Sequence, residues 1–215
     1  MPATRDRRPT PGTGSAVPGT RPGGRRRWDA TDLSLIGVFT ALVAAASLAP
    51  AVPLAAGVPI TLQTLAVMLT ALLLGPARAF AAVGLYVLLG LAGLPILAGF
   101  RGGLAVLAGP SAGYLIAFPF AAAVTGALAA LVLRRRRPSP AVRAVALFGA
   151  ALAGSLLVVH PAGIAGLMVN ARLGLPTAVA ADLAFLPGDV LKCAAAVAVA
   201  LTVHRAFPGL LGPRR

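Results

Sequence analysis

Long apolar runs, separated by short proline-rich or basic breaks, organise this chain. No Asp, Glu, Lys or Arg occurs within residues 33–75, 79–100, 102–133 or 144–171. A helix needs about 20 apolar residues to cross a bilayer core. Each run is therefore long enough for one crossing, and the first is long enough for two. Helices of soluble domains average only about 10–14 residues, so this pattern predicts membrane spans and not a packed soluble core.

Proline and glycine set the breaks, because proline removes a backbone donor and interrupts a helix. Pro50, Pro53, Gly57 and Pro59 divide the first run into predicted helices over 33–49 and 60–75, and Gly75-Pro76 closes the second. A third helix is predicted over 77–94. The stretch 93–110 holds Gly93, Pro95, Gly99, Gly102, Gly103, Gly109 and Pro110, which predicts a structured loop dipping toward the membrane, since its apolar portion 104–107 is too short to cross. The fourth helix is expected over 111–133 and the fifth over 141–160, with Pro161 and Gly163 loosening its outer end. A short helix over 176–186 precedes the sixth, expected from Pro187 to His204. No repeat of fixed period is visible. The expected fold is all-α: a polytopic integral membrane protein of six transmembrane helices.

Charge orients these spans. With both termini in the cytoplasm, the seven arginines before Trp28 fall inside, as do Arg78, Arg134, Arg135, Arg136, Arg137, Arg143, Arg205, Arg214 and Arg215. Only Arg101 and Arg172 fall outside. Such an excess of inside cations is the expected bias of a cell-membrane protein, and it predicts an N-in/C-in arrangement. Residues 1–27 are rich in Pro, Gly, Thr and Arg and cannot bury a core. The organisation is read as a disordered basic cytoplasmic tail over 1–30, a six-helix membrane domain over 31–206 and a short cytoplasmic tail over 207–215. Arg25-Arg26-Arg27 before an apolar run also has the order of a signal peptide. That apolar run exceeds the about 7–15 residues of a signal core, and removing it would collapse the charge bias.

The composition then excludes several classes. The net charge of +14 does not indicate nucleic acid, because the cations cluster at the ends of apolar segments. The single cysteine, Cys193, cannot close an intramolecular disulfide. The one lysine, Lys192, is followed by cysteine, so the phosphate-binding loop of a nucleotide hydrolase is absent. Two histidines and one cysteine offer no recognised metal spacing, and no paired carboxylates suit acid–base work. The chain is not read as an enzyme, and no cofactor or metal is expected. Inverted repeats and broken helices of a secondary transporter are not evident.

Charge inside the apolar segments is the informative exception, since each such residue costs roughly 2.5–3.5 kcal/mol on insertion scales. Asp189 and Lys192 lie three residues apart in the first turns of the sixth helix and share one face. They read either as an interfacial salt bridge or as a ligand site that accepts through Asp189 and donates through Lys192. Pro187-Gly188 just before them would leave helix N-terminal amides free for an anionic group. Thr61 and Gln63, Tyr86, Arg101 and Asn170 fall in the same outer region. Tyr86 also reads as interior packing and Arg101 as a solvated loop charge. Asp182 reads as solvent-facing, and His160 as a satisfied interfacial residue. Ala41, Ala45 and Ala49 recur every four residues, a small-residue stripe of the kind that admits another transmembrane helix.

The ordered motifs resemble a known family. They are Val58-Pro59-Ile60-Thr61-Leu62-Gln63-Thr64, Leu72-Leu73-Leu74-Gly75-Pro76, Gly90-Leu91-Ala92-Gly93-Leu94-Pro95, Gly109-Pro110-Ser111-Ala112-Gly113-Tyr114-Leu115 and Leu186-Pro187-Gly188-Asp189-Val190-Leu191-Lys192. Together they resemble the BioY family, the biotin-binding S components of energy-coupling factor (ECF) transporters, over about residues 33–205. The resemblance implies six helices, a biotin pocket near the outer face and inward delivery of biotin. It implies a complex with a transmembrane coupling protein (T component) and ATP-binding-cassette ATPases, all within membrane lipid. It further implies that Asp189 accepts from the ureido N–H groups of biotin, that Lys192 donates to a biotin oxygen, and that Ala41, Ala45 and Ala49 contact the coupling protein. The sequence departs from the family pattern in two places: Ser111-Ala112-Gly113 replaces Thr-Gly-Gly, and Phe100-Arg101 replaces small residues. Arg101 is therefore left with two readings, a partner for the valerate carboxylate of biotin or a solvent-facing charge.

Overall fold

The computed structural model describes residues 28–51, 57–134 and 139–207. Most of the basic tail, the arginines Arg135, Arg136 and Arg137 and the terminal Arg214 and Arg215 lie outside the described residues. Within them the chain forms seven helices and one 3₁₀ turn. The helices are α1 (Ala30–Leu48), α2 (Gln63–Leu74), α3 (Pro76–Leu91), α4 (Ala112–Arg134), α5 (Pro140–Asn170), α6 (Leu175–Leu183) and α7 (Leu186–Ala206), and the 3₁₀ turn is Leu104–Ala108. No strand occurs among the described residues beyond an isolated bridge between Leu97 and Arg101.

Four helices, α1, α4, α5 and α7, are long and apolar enough to cross a membrane. At about 1.5 Å per residue, α2 and α3 are shorter. They are separated only by Gly75, whose φ of 74° turns the chain into Pro76 at the first position of α3, where a missing N–H costs no hydrogen bond. Every residue of α2 except Leu65 is buried. This helix lies inside the bundle, packed against α1, α3, α4, α5 and α7.

The observed boundaries differ from the expected ones for local reasons. The first helix starts at Ala30, because Asp29 and Asp32 form a reciprocal cap: each carboxylate accepts from the other's backbone N–H. The second starts at Gln63, not at 60, where the Thr61 hydroxyl accepts from the Gln63 N–H at 3.3 Å. The largest difference is α5, which continues through Pro161 to Asn170 and does not end at 160. Proline cannot donate to the carbonyl four residues back. The preceding turn, Ser155–Val159, widens into a π-helical turn in which the His160 N–H donates to Ser155 O, so the helix passes the proline without breaking.

Contacts sort the bundle into two ends. At one, Arg78 at the start of α3 reaches Asp32 at the start of α1 at 3.3 Å and the Leu74 carbonyl at 3.1 Å, and His204 near the end of α7 lies 3.0 Å from Leu72 O. At the other, Asn170 donates twice to the loop after α3, and α4 meets the second half of α5 backbone to backbone. There a side chain on Gly113 would sit 2.0 Å from Ala162 O, and one on Gly163 would sit 2.1 Å from the Tyr114 ring. Glycine is the residue that fits at both positions.

Candidate ligand pocket and its buried polar chain

The end of the bundle opposite Arg78 and His204 holds a small, partly open pocket with a cavity volume of about 70 Å³. Its walls come from the extended segment 58–61, the start of α2, the loop after α3, the first turns of α4, the middle of α5 and the start of α7. Apolar walls dominate: Val58, Ile60, Leu97, Val106, Leu115 and Phe118. Tyr114 and Phe185 form an aromatic corner with ring centroids 5.8 Å apart. Polar groups are few: Thr61, Gln63, Thr64, Ser111, Arg101, Asp189 and Lys192.

Asp189 and Lys192 are 4% and 9% exposed. Lys192 Nζ donates to Asp189 Oδ1 at 3.0 Å, so the two charges sit on the pocket wall already paired. The amide of Asp189 is itself engaged, donating to Phe185 O at 2.9 Å, because α7 follows α6 through a tight turn and not an open N-terminus.

Gln63 also lines the pocket. Its Nε2 donates to the Tyr86 hydroxyl at 3.0 Å, and that hydroxyl donates to Ser47 Oγ at 2.8 Å. Tyr86 is fully buried behind the wall. It fixes the Gln63 amide without facing the cavity.

Arg101 stands at the mouth. A tight hairpin, in which Leu97 and Arg101 exchange both backbone hydrogen bonds, turns through Gly99 and Phe100, both with positive φ. Arg101 Nε donates to Ala98 O at 3.1 Å. Asn170 is not brought to the pocket. Its Nδ2 donates to Leu107 O and Gly109 O at 2.8 Å each, which pins the 3₁₀ turn that supplies Val106. Ala41 and Ala45 lie on the exposed face of α1, and Ala49 follows that helix as its half-buried C-cap.

Two residues that the pattern alone placed outside the site belong to its supporting structure. Asp182, read as solvent-facing, is 3% exposed. Its Oδ1 accepts from the Tyr114 hydroxyl at 2.7 Å, and its Oδ2 lies 2.7 Å from His160 Nδ1. The other nitrogen of His160 lies 3.5 Å from Asp189 Oδ2. A chain of polar groups therefore runs from Tyr114 through Asp182 and His160 to Asp189 and Lys192. The signal for Asp182 was present: it is the only charged residue within 173–188, the same criterion that singled out Asp189.

The model of the BioY family matches residues 21–209. The "Biotin transporter BioY" of Rhizobium etli is 39% identical over 180 residues, which cover 82% of this chain and 95% of that protein. The "Biotin transporter BioY" of Rhodobacter capsulatus is 40% identical over 189 residues, covering 84% and 96%. Among solved structures, the S-component for biotin from an ECF-type ABC transporter superposes with a TM-score of 0.75 at 28% identity, over 81% of this chain and 91% of that one.

Proposed function

We propose that this chain, which belongs to the BioY family, captures biotin at the outer face of the cell membrane and delivers it inward as the S component of an ECF-type transporter. It is a multi-pass membrane protein of a transporter family, not an enzyme. The observation that carries the reading is the pocket with a pre-paired Asp189 and Lys192 on an otherwise apolar wall. Biotin presents a ureido ring with N–H donors and a carbonyl, an apolar bicycle and a carboxylate. Asp189 accepts from the ureido N–H groups, Lys192 donates to the ureido oxygen, and Gln63, held by Tyr86, adds a polar contact. The valeryl chain lies along the apolar wall toward Arg101, whose guanidinium at the mouth meets the carboxylate.

The placement of this pocket opposite the arginine-rich end supports six spans with both termini in the cytoplasm. In this arrangement α1 begins on the cytoplasmic side, where α2 also meets α3 at Gly75-Pro76 and α4 ends at Arg134. The extended segment 58–62 completes the crossing begun by the short α2, and α6 lies at the outer surface before α7. Residues 31–206 form the membrane domain between basic tails. The exposed small-residue face of α1, with Ala41 and Ala45 and continuing to Ala49, is the contact for the T component, which couples the protein to the ABC ATPases.

The test is calorimetry with the purified, folded full chain in lipid nanodiscs. Saturable binding of biotin, and none of a riboflavin or thiamine control, is expected. A folded protein that binds no biotin refutes the assignment.

A further inference from the structure

We propose that His160 is a positioning residue: held as an imidazolium between Asp182 and Asp189, it fixes the free oxygen of Asp189 toward the ligand. The role of Asp189 as ligand acceptor rests on the function proposed above; the bridge itself does not.

The argument begins with valence. A carboxylate only accepts, and a neutral imidazole carries one N–H while an imidazolium carries two. Here both ring nitrogens face carboxylate oxygens: Nδ1 at 2.7 Å from Asp182 Oδ2 and Nε2 at 3.5 Å from Asp189 Oδ2. A neutral ring would turn a lone pair toward one of two buried carboxylates. The cation donates to Asp182 through Nδ1 and presents its second N–H to Asp189 at ion-pair distance. Local charge points the same way. The ring itself faces Asp182 of α6 and Asp189 of α7; behind these carboxylates stand Tyr114 of α4, bonded to Asp182, and Lys192 of α7, paired with Asp189, with Arg101 at the exposed mouth of the pocket. Within the buried set, two aspartates against one lysine leave one negative charge, and the imidazolium cancels it. Unpaired charge in such surroundings is costly.

Geometry explains why the ring can hold this position. Nδ1 is clamped through Asp182 to the Tyr114 hydroxyl, and the Tyr114 ring packs on Gly163, one helical turn beyond His160. The π-helical turn just before His160 sets the aim of its side chain. Of the two Asp189 oxygens, Lys192 takes Oδ1 at 3.0 Å. The longer approach of Nε2 to Oδ2 leaves that oxygen oriented but with capacity to accept from a ligand. Nε2 has no hydrogen-bond partner among the described residues, although it is buried.

The experiment has two arms on the full chain in nanodiscs. In the first, nitrogen NMR of labelled histidine in the ligand-free protein reads the ring directly. The chain has only two histidines, and His204→Gln assigns them. His160 is expected with both nitrogens protonated at neutral pH, and Asp182→Asn is expected to change its spectrum. A neutral His160 at neutral pH overturns the proposal. In the second arm, biotin affinity is measured against pH. It is expected to fall as pH rises through the His160 titration. In His160→Gln, affinity is expected to drop about tenfold, with the pH dependence lost. Wild-type affinity and pH profile in a folded His160→Gln protein overturn the positioning role. Should that variant not fold, Tyr114→Phe, which removes one hydroxyl from the clamp, is expected to shift the His160 titration and the affinity profile together; no shift in either overturns the proposal. A wild-type protein that binds no biotin refutes the transport reading instead, and the histidine spectrum still decides whether the bridge exists.

Discussion

Asp189 and Lys192 are the residues on which the ligand assignment turns, and each stands on a nearly dry wall. Removing one partner of a charged hydrogen bond costs about 1.5–3 kcal/mol. Asp189→Asn and Lys192→Ala are each expected to weaken biotin binding by about tenfold or more in calorimetry. Unchanged affinity in both would remove the site assignment and leave the family intact. Tyr86 acts one step back. Its hydroxyl holds the Gln63 amide, so Tyr86→Phe is expected to cost about 1 kcal/mol of affinity, less than the charged pair. Equal losses for Tyr86→Phe and Asp189→Asn would place Tyr86 on the ligand itself. The charged pair was legible in the sequence because an i, i+3 spacing places two side chains on one face without knowledge of any other helix. The partnership of His160 and Asp182 was not, since 22 residues separate them and two helices have to pack before they meet.

Among elements, α1 is tied to α3 by charge at the end away from the pocket. Asp32 and Arg78 are buried and paired at the end away from the pocket, and Asp32 also caps the helix. Asp32→Ala is expected to destabilise the fold by about 1–3 kcal/mol, since it removes a buried carboxylate from Arg78 and one half of the reciprocal cap of α1, while leaving biotin affinity near wild type. Thermal unfolding and calorimetry on the same sample check both halves, and a large affinity loss would contradict the separation of the two ends. The path of α5 shows a limit of local reading. Pro161 is a legitimate stop signal, yet the π-helical turn before it re-routes one hydrogen bond and the helix continues. Packing of Gly163 and Gly166 against α4 makes that continuation favourable, and such a contact is invisible along one strand of sequence.

For the molecule as a whole, two expectations follow from the orientation and the exposed face of α1. Ala45→Leu adds bulk on a side of α1 that is exposed among the described residues. It is expected to reduce co-purification with the T component while leaving biotin affinity within about twofold; undiminished co-purification would argue against that face. For topology, Cys193 is buried and is the only cysteine, so added thiols report cleanly. Arg101→Cys is expected to react with a membrane-impermeant maleimide in intact cells, and Arg205→Cys only after permeabilisation. The reverse pattern would invert the proposed orientation.

The sequence by itself determined the solvent of this protein, its helical class and the rough position of its spans. Those properties follow from composition and from breaks that act over a few residues. The same locality made Asp189–Lys192, the Ala41/Ala45 stripe and the ordered family motifs readable. Only the tertiary structure decided which polar residues share a wall. Gln63 and Arg101 join the charged pair there, Tyr86 stands behind it, and Asn170 ties down a loop. The structure also turned Asp182 inward, because a carboxylate on a short surface helix becomes buried only when Tyr114 and His160 arrive from two other helices to satisfy it.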